Sequence, residues 1–85
     1  MNIPQAQMKI AEIVQQRRVA GKPADYMQVD AVLCEDGKQV IAYLYFMGDL
    51  EASTFVSIDL PAPVDAAAFD PAAFEEVLMA GGTVH

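Results

Sequence analysis

The fold is decided by the stretch Glu35-Asp36-Gly37-Lys38 (EDGK), which stands between two apolar runs. An Asp-Gly pair in this setting strongly indicates a β-hairpin, because a tight type I′ turn needs positive φ at both central residues. If Asp36-Gly37 is a two-residue loop, Glu35 faces Lys38 and the antiparallel register follows from that pair. The sequence therefore predicts a hairpin of two strands over residues 25–35 and 38–47.

This register divides the hairpin into two faces with different compositions. The pairs assigned to the core are entirely apolar: Leu33–Val40, Ala31–Ala42, Val29–Leu44 and Met27–Phe46. The pairs on the other face mix apolar, aromatic and polar residues: Val32–Ile41, Asp30–Tyr43, Gln28–Tyr45 and Tyr26–Met47. A slip of one residue would exchange the two sets, so the apolar pattern supports this register.

A third strand is predicted over residues 52–60, where Thr54, Val56, Ile58 and Leu60 form the apolar phase. A two-residue turn at Gly48-Asp49 would place Ser57 and Asp59 in the core. We therefore predict a loop of three or five residues within 48–51. The prolines that follow the strand end the sheet.

A helix is predicted at each end of the chain. Residues 3–19 carry an apolar stripe at helical spacing, with Asn2 as the cap and Gly21 as the stop. Arg17 and Arg18 fall in the last turn, where cations favour the helix dipole, so we assign this basic cluster to helix-end chemistry. The second helix is predicted over residues 70–80, with Asp70 as its cap, Pro71 at its first position and Gly81-Gly82 as its end. An Ala-rich lead-in at residues 65–69 predicts one extra turn.

The predicted fold class is α+β: one small domain over residues 1–85 in the order α-β-β-β-α. Two helices on one face of a three-stranded antiparallel sheet bury all the apolar stripes. The opposite side of the sheet is then uncovered, and we call it the aromatic face. Large exposed apolar patches mark interaction sites, and tyrosine and methionine are enriched at interfaces. The candidate partner-binding residues are Tyr26, Ile41, Tyr43, Tyr45, Met47 and Phe55.

Charge argues against nucleic acid and membrane surfaces as partners. The chain has a net charge of −7, and it is unevenly spread. Residues 1–22 hold four basic residues and one acid, whereas residues 23–85 hold one lysine and eleven acids. Phosphate backbones and anionic lipids need lysine and arginine, so this body would repel them. The first 18 residues lack the pattern of a signal peptide, and a lone cysteine suits a reducing compartment, so a cytoplasmic location is expected.

Catalytic and metal-binding patterns are weak, so no enzymatic activity, cofactor or metal is expected. The histidine count is one, His85, which is the last residue, and the cysteine count is one, Cys34. Neither forms a zinc set. The acids beside Cys34 do not favour a reactive thiolate, so we interpret it as a packing residue. Asp30 and Asp59 share the aromatic face, where we interpret them as solvating groups.

Three functions remain open. The leading hypothesis is a non-catalytic interaction or accessory module that uses the aromatic face to form a homodimer or to bind another protein. The second is an acidic inhibitor or nucleic-acid mimic, from a phage or mobile element, that binds a basic protein. The third is a small-ligand binder at the tyrosines of the aromatic face.

Overall fold

The five predicted elements form in the predicted order. In a computed structural model, which describes residues 1–82 and the side chains of residues 1–79, the fold is α+β with a three-stranded antiparallel sheet. The strand order is β1-β2-β3. Each strand is shorter than predicted by one or two residues at each end. The bounds are α1 Ile3–Val19, β1 Met27–Leu33, β2 Gln39–Phe46, β3 Thr54–Asp59 and α2 Pro71–Gly82.

The predicted hairpin register is confirmed, but the predicted turn is wrong. Leu33 pairs with Val40, and the pairing continues to Met27 with Phe46. The two-residue loop is not formed, because the Gly37 N–H donates to the Cys34 carbonyl at 3.0 Å and turns the chain earlier. Gly37 has φ 68° and is buried against the backbone of Val64, whose N–H donates to the Gly37 carbonyl at 2.8 Å. This contact with a later segment favours the longer turn.

The rejection of a tight turn after β2 is also confirmed. Tyr43 pairs with Phe55, and Leu44 pairs with Thr54, so Ser57 and Asp59 stay off the core face. The connection is longer than predicted, since residues 47–53 lie between the strands and include a short 3₁₀ turn, Leu50–Ala52. Within the predicted apolar phase of β3, Thr54 is exposed while Val56 and Ile58 are buried.

The first helix is capped as its sequence predicts. The Gln5 N–H donates to the Asn2 side chain at 2.9 Å, and the Asn2 N–H donates to the Gln5 side chain at 2.9 Å. This reciprocal capping box satisfies two backbone donors at the start of the helix. Gly21 follows the helix with φ 72°, a conformation that glycine adopts without strain.

The second helix begins as predicted and ends later. The Ala73 N–H donates to the Asp70 carboxylate at 3.3 Å, and the rings of Phe69 and Phe74 pack across the cap with centroids 5.7 Å apart. This is a hydrophobic staple, which fixes the direction of the chain entering the helix. The extra turn before it is present at Ala66–Ala68, while the helix runs through Gly82 rather than ending before Gly81. His85 lies outside the described residues.

Both helices pack on one face of the sheet, as predicted. The first helix lies against β3, the second lies against β1, and the two helices also contact each other. The central strand is buried beneath them through Val40, Ala42, Leu44 and Phe46, which are at most 1% exposed. Among the described residues, no helix has the length and apolar character needed to cross a membrane. The core cluster contains Ala6, Ile10, Val29, Ala42, Leu44, Val56, Ile58 and Leu78.

Candidate interaction face

The aromatic face is the side of the sheet that neither helix contacts. Antiparallel pairing arranges it in rows that run across the strands. One row joins Asp30, Tyr43 and Phe55, one residue from each strand. Gln28 and Tyr45 form the neighbouring row on one side. The row on the other side is Val32, Ile41 and Ser57.

Three aromatic rings form a continuous group on this face. The centroids of Tyr43 and Tyr45 are 6.5 Å apart, with ring planes 24° from parallel. The centroids of Tyr43 and Phe55 are 6.2 Å apart, with planes at 50°. Tyr43 is therefore the shared centre of the group. Aromatic pairs in this separation range attract each other, so the rings hold one another in place on the sheet surface.

The structure brings four of the six candidate residues together and places two at the margin. Ile41, Tyr43, Tyr45 and Phe55 lie within the strands. Tyr26 and Met47 lie just beyond the ends of β1 and β2, joined by a hydrogen bond of 2.8 Å from the Met47 N–H to the Tyr26 carbonyl. The exposed fraction is 77% for Tyr26, 60% for Phe55, 41% for Met47 and 39% for Tyr43, while Ile41 and Tyr45 are half-buried.

Two carboxylates share this side of the sheet, and they differ in their surroundings. Asp59 accepts a hydrogen bond of 2.8 Å from the Gln39 side chain and pairs with the N-terminal ammonium of Met1 at 3.0 Å. The Gln39 hydrogen bond, followed by the hydrogen bond and charge of the ammonium, lowers the pKa of Asp59. Asp30 forms no hydrogen bond or ion pair with the side chains of residues 1–79.

The two edges of the sheet are covered by contacts that the sequence did not reveal. At the β1 edge, the Ala31 N–H donates to the Glu75 carboxylate of α2 at 2.8 Å. At the β3 edge, the Asp59 N–H donates to the Met1 carbonyl at 2.6 Å. An uncovered strand edge invites pairing with another chain, and charged groups at an edge oppose it. Each contact leaves one fewer free backbone N–H at its edge for pairing with another strand.

The side chain of Arg17 also makes contacts that the sequence did not predict. Its Nε donates to the Pro23 carbonyl at 2.7 Å, and a terminal nitrogen pairs with Asp49 at 3.0 Å. Its guanidinium carbon lies 4.2 Å from the ring centroid of Phe46. The assignment of Arg17 to helix-end chemistry was therefore incomplete, because the side chain crosses the end of the core and binds two loops. Arg18 is mostly exposed, so we keep its assignment to helix-end chemistry.

The described residues offer little for chemistry elsewhere. They contain no group of three or more His, Cys, Asp or Glu side chains that could hold a metal ion. Cys34 is half-buried in the hairpin turn and is a free thiol. One open depression lies beside the aromatic face at the hairpin end, and its lining does not include the tyrosines. It is lined by Asp36, Lys38, Gln39, Asp59, Leu60, Pro61, Ala62 and Pro63.

Comparisons with known protein families, with characterised proteins and with solved structures found no match for this chain.

Proposed function

We propose that this protein is a non-catalytic interaction module that binds a protein partner through the aromatic face. The observation that carries the proposal is the group of rings formed by Tyr43, Tyr45 and Phe55 on the side of the sheet opposite the helices, where Tyr43 and Phe55 are exposed. Aromatic residues contribute most of the binding energy at many interfaces, typically near the centre of the contact.

The surroundings of the ring group support the proposal. Polar and charged residues lie around the rings: Gln28 and Asp30 on β1, and Ser57 on β3. An apolar centre with a polar rim is the common arrangement of protein interfaces. The rings already contact one another in the chain without a partner, since Tyr43 packs against both neighbours. A preformed surface loses less side-chain entropy on binding.

Selection from a random peptide library displayed on phage tests the proposal and requires no assumption about the identity of the partner. The immobilised full chain is the target, and recovered peptides are synthesised and their affinities measured. The comparison uses the double variant Tyr43→Ser with Phe55→Ser. A matched control replaces two large exposed residues elsewhere, Met8→Ser with Val19→Ser, which are 73% and 78% exposed on α1.

We expect recovered peptides to bind the face variant at least about tenfold more weakly than the wild type, since loss of an interface aromatic commonly costs about 1–2 kcal/mol. The α1 control should bind within about twofold of the wild type. Circular dichroism establishes that both variants are folded. Peptides that bind the face variant as tightly as the wild type would show that the interaction surface lies elsewhere, and the proposal would be wrong.

A further inference from the structure

Asp30 stands in the same cross-strand row as Tyr43 and Phe55. Its carboxylate is exposed and has no ion-pair or hydrogen-bond partner among the side chains of residues 1–79. A partner that covers this row would remove water from the carboxylate. Removing water from an ionised carboxylate is costly unless a cation or several donors replace it.

The chain supplies no cation of its own to this row. Lys9, Arg17 and Arg18 lie on α1, Lys22 follows that helix, and Lys38 lies in the hairpin turn, before the start of β2 at Gln39. These are all the lysines and arginines of the sequence. The N-terminal ammonium is paired with Asp59, at the far end of the face.

A second copy of the chain would make a poor occupant for this reason. Two copies packed through the same face would bring two Asp30 carboxylates and no lysine or arginine into one interface. A tyrosine hydroxyl from the second copy would donate a hydrogen bond but no compensating charge. The net charge of −7 on each copy adds a general repulsion. Charge complementarity therefore favours a positively charged partner over a second copy of this chain.

We infer that the aromatic face binds a basic segment of another protein, with an arginine or lysine lying over the ring of Tyr43 and pairing with Asp30. The inference rests on the proposed function and names its partner class. A cation within about 6 Å of an aromatic centroid is attracted by the ring, and the adjacent carboxylate adds a charge-assisted hydrogen bond. The rings of Tyr45 and Phe55 flank the ring of Tyr43.

The test uses the peptides whose binding is lost in the Tyr43→Ser and Phe55→Ser variant. Each is resynthesised with citrulline in place of arginine and acetyl-lysine in place of lysine, which removes charge and keeps most of the shape. Each is also measured against the full chain carrying Asp30→Asn. The matched control is Glu76→Gln, which removes one exposed carboxylate from α2, on the opposite side of the sheet.

We expect these face-dependent peptides to be rich in arginine or lysine. Neutralising the peptide arginine or lysine that binds over Tyr43 should weaken binding about tenfold. Asp30→Asn should weaken it about fivefold. Both values are in line with exposed cation–π and ion-pair contacts. Glu76→Gln should change affinity by less than about twofold.

Three results would overturn the inference while leaving the proposed function in place. The first is face-dependent peptides that lack basic residues. The second is equal weakening by Asp30→Asn and Glu76→Gln, which would mean attraction to the overall charge rather than to this position. The third is self-association of the chain by light scattering that is abolished by Tyr43→Ser. Binding that survives the face variant contradicts the proposed function itself, so the two failures are distinct.

Discussion

The guanidinium of Arg17 lies over the ring of Phe46, 4.2 Å from its centroid, at the end of the core where α1, β2 and two loops meet. Its side chain also binds the Pro23 carbonyl and the Asp49 carboxylate. One side chain thus joins the loop after α1 to the connection after β2. A small domain has a thin core, so contacts of this kind carry a substantial share of its stability.

Arg17→Ala should therefore lower the free energy of unfolding by about 2 kcal/mol, because it removes charge-assisted hydrogen bonds and the ring contact together. Urea unfolding followed by circular dichroism measures the change. Arg18→Ala is the matched control, since Arg18 is mostly exposed and 3.9 Å from Asp25, and it should cost less than about 0.5 kcal/mol. Equal losses for the two variants would contradict this account of Arg17.

The two faces of the sheet should respond differently to substitution. Leu44→Ala removes a fully buried side chain and should cost about 2–5 kcal/mol. Tyr43→Ser with Phe55→Ser removes cross-strand contacts on the exposed face and should cost about 1 kcal/mol. Both are measured by urea unfolding at two protein concentrations. A face variant that unfolds as readily as the core variant would mean that the aromatic face is buried in an obligate assembly.

Asp59 should titrate below an ordinary aspartate, because Gln39 and the Met1 ammonium hold its pKa down. A carboxyl whose pKa is lower in the folded state stabilises the fold above its unfolded pKa. That contribution is lost as the pH falls below about 4, through the lowered pKa of the folded state. NMR titration of the carboxyl carbon measures the pKa directly.

Gln39→Ala should raise the pKa of Asp59 toward its ordinary value, since the Gln39 hydrogen bond is the largest cause of the shift. Gln28→Ala is the control, because Gln28 lies on the same face but has no contact with Asp59. An Asp59 pKa that is unchanged by Gln39→Ala would show that the hydrogen bond does not form in solution.

Glu75 should slow hydrogen exchange at the β1 edge, because its carboxylate accepts a hydrogen bond of 2.8 Å from the outward-facing N–H of Ala31. Glu75→Ala should speed hydrogen exchange at the Ala31 amide by about tenfold, which corresponds to loss of about 1.4 kcal/mol of protection. Glu76→Ala removes the neighbouring exposed carboxylate and should leave that amide unchanged. Exchange at Ala31 that is equally slow in both variants would show that another group covers this edge.

The sequence predicted the order of elements, the hairpin register and the core-facing phase of β3, because each follows from short-range patterns. The apolar pairs from Leu33–Val40 to Met27–Phe46 allow one hairpin register, and keeping Ser57 out of the core fixes which face of β3 is buried. The helix starts were predictable for the same reason, since the capping side chains of Asn2 and Asp70 act within three residues.

The contacts that sequence reasoning missed join residues far apart in the chain. The turn at Gly37 depends on Val64, the edge at Ala31 depends on Glu75, and the loop contact of Arg17 depends on Asp49. No local pattern predicts them, because their partners are brought together by the packed fold. The aromatic face could be predicted, because it is one of the two alternating sets of residues in the hairpin. Two of its features required the three-dimensional structure: the stacking of Tyr43 on Tyr45, and the lack of an ion-pair partner for Asp30 among the described side chains.

Chemical-shift mapping locates the surface that binds a partner. Isotope-labelled protein is titrated with the tightest peptide from the library, and backbone amide shifts are followed residue by residue. If the aromatic face binds the peptide, the largest shifts will fall on residues 28–32, 41–45 and 55–57, centred on Tyr43. Largest shifts on α1 or α2, with the amides around Tyr43 unmoved, would contradict binding through this face.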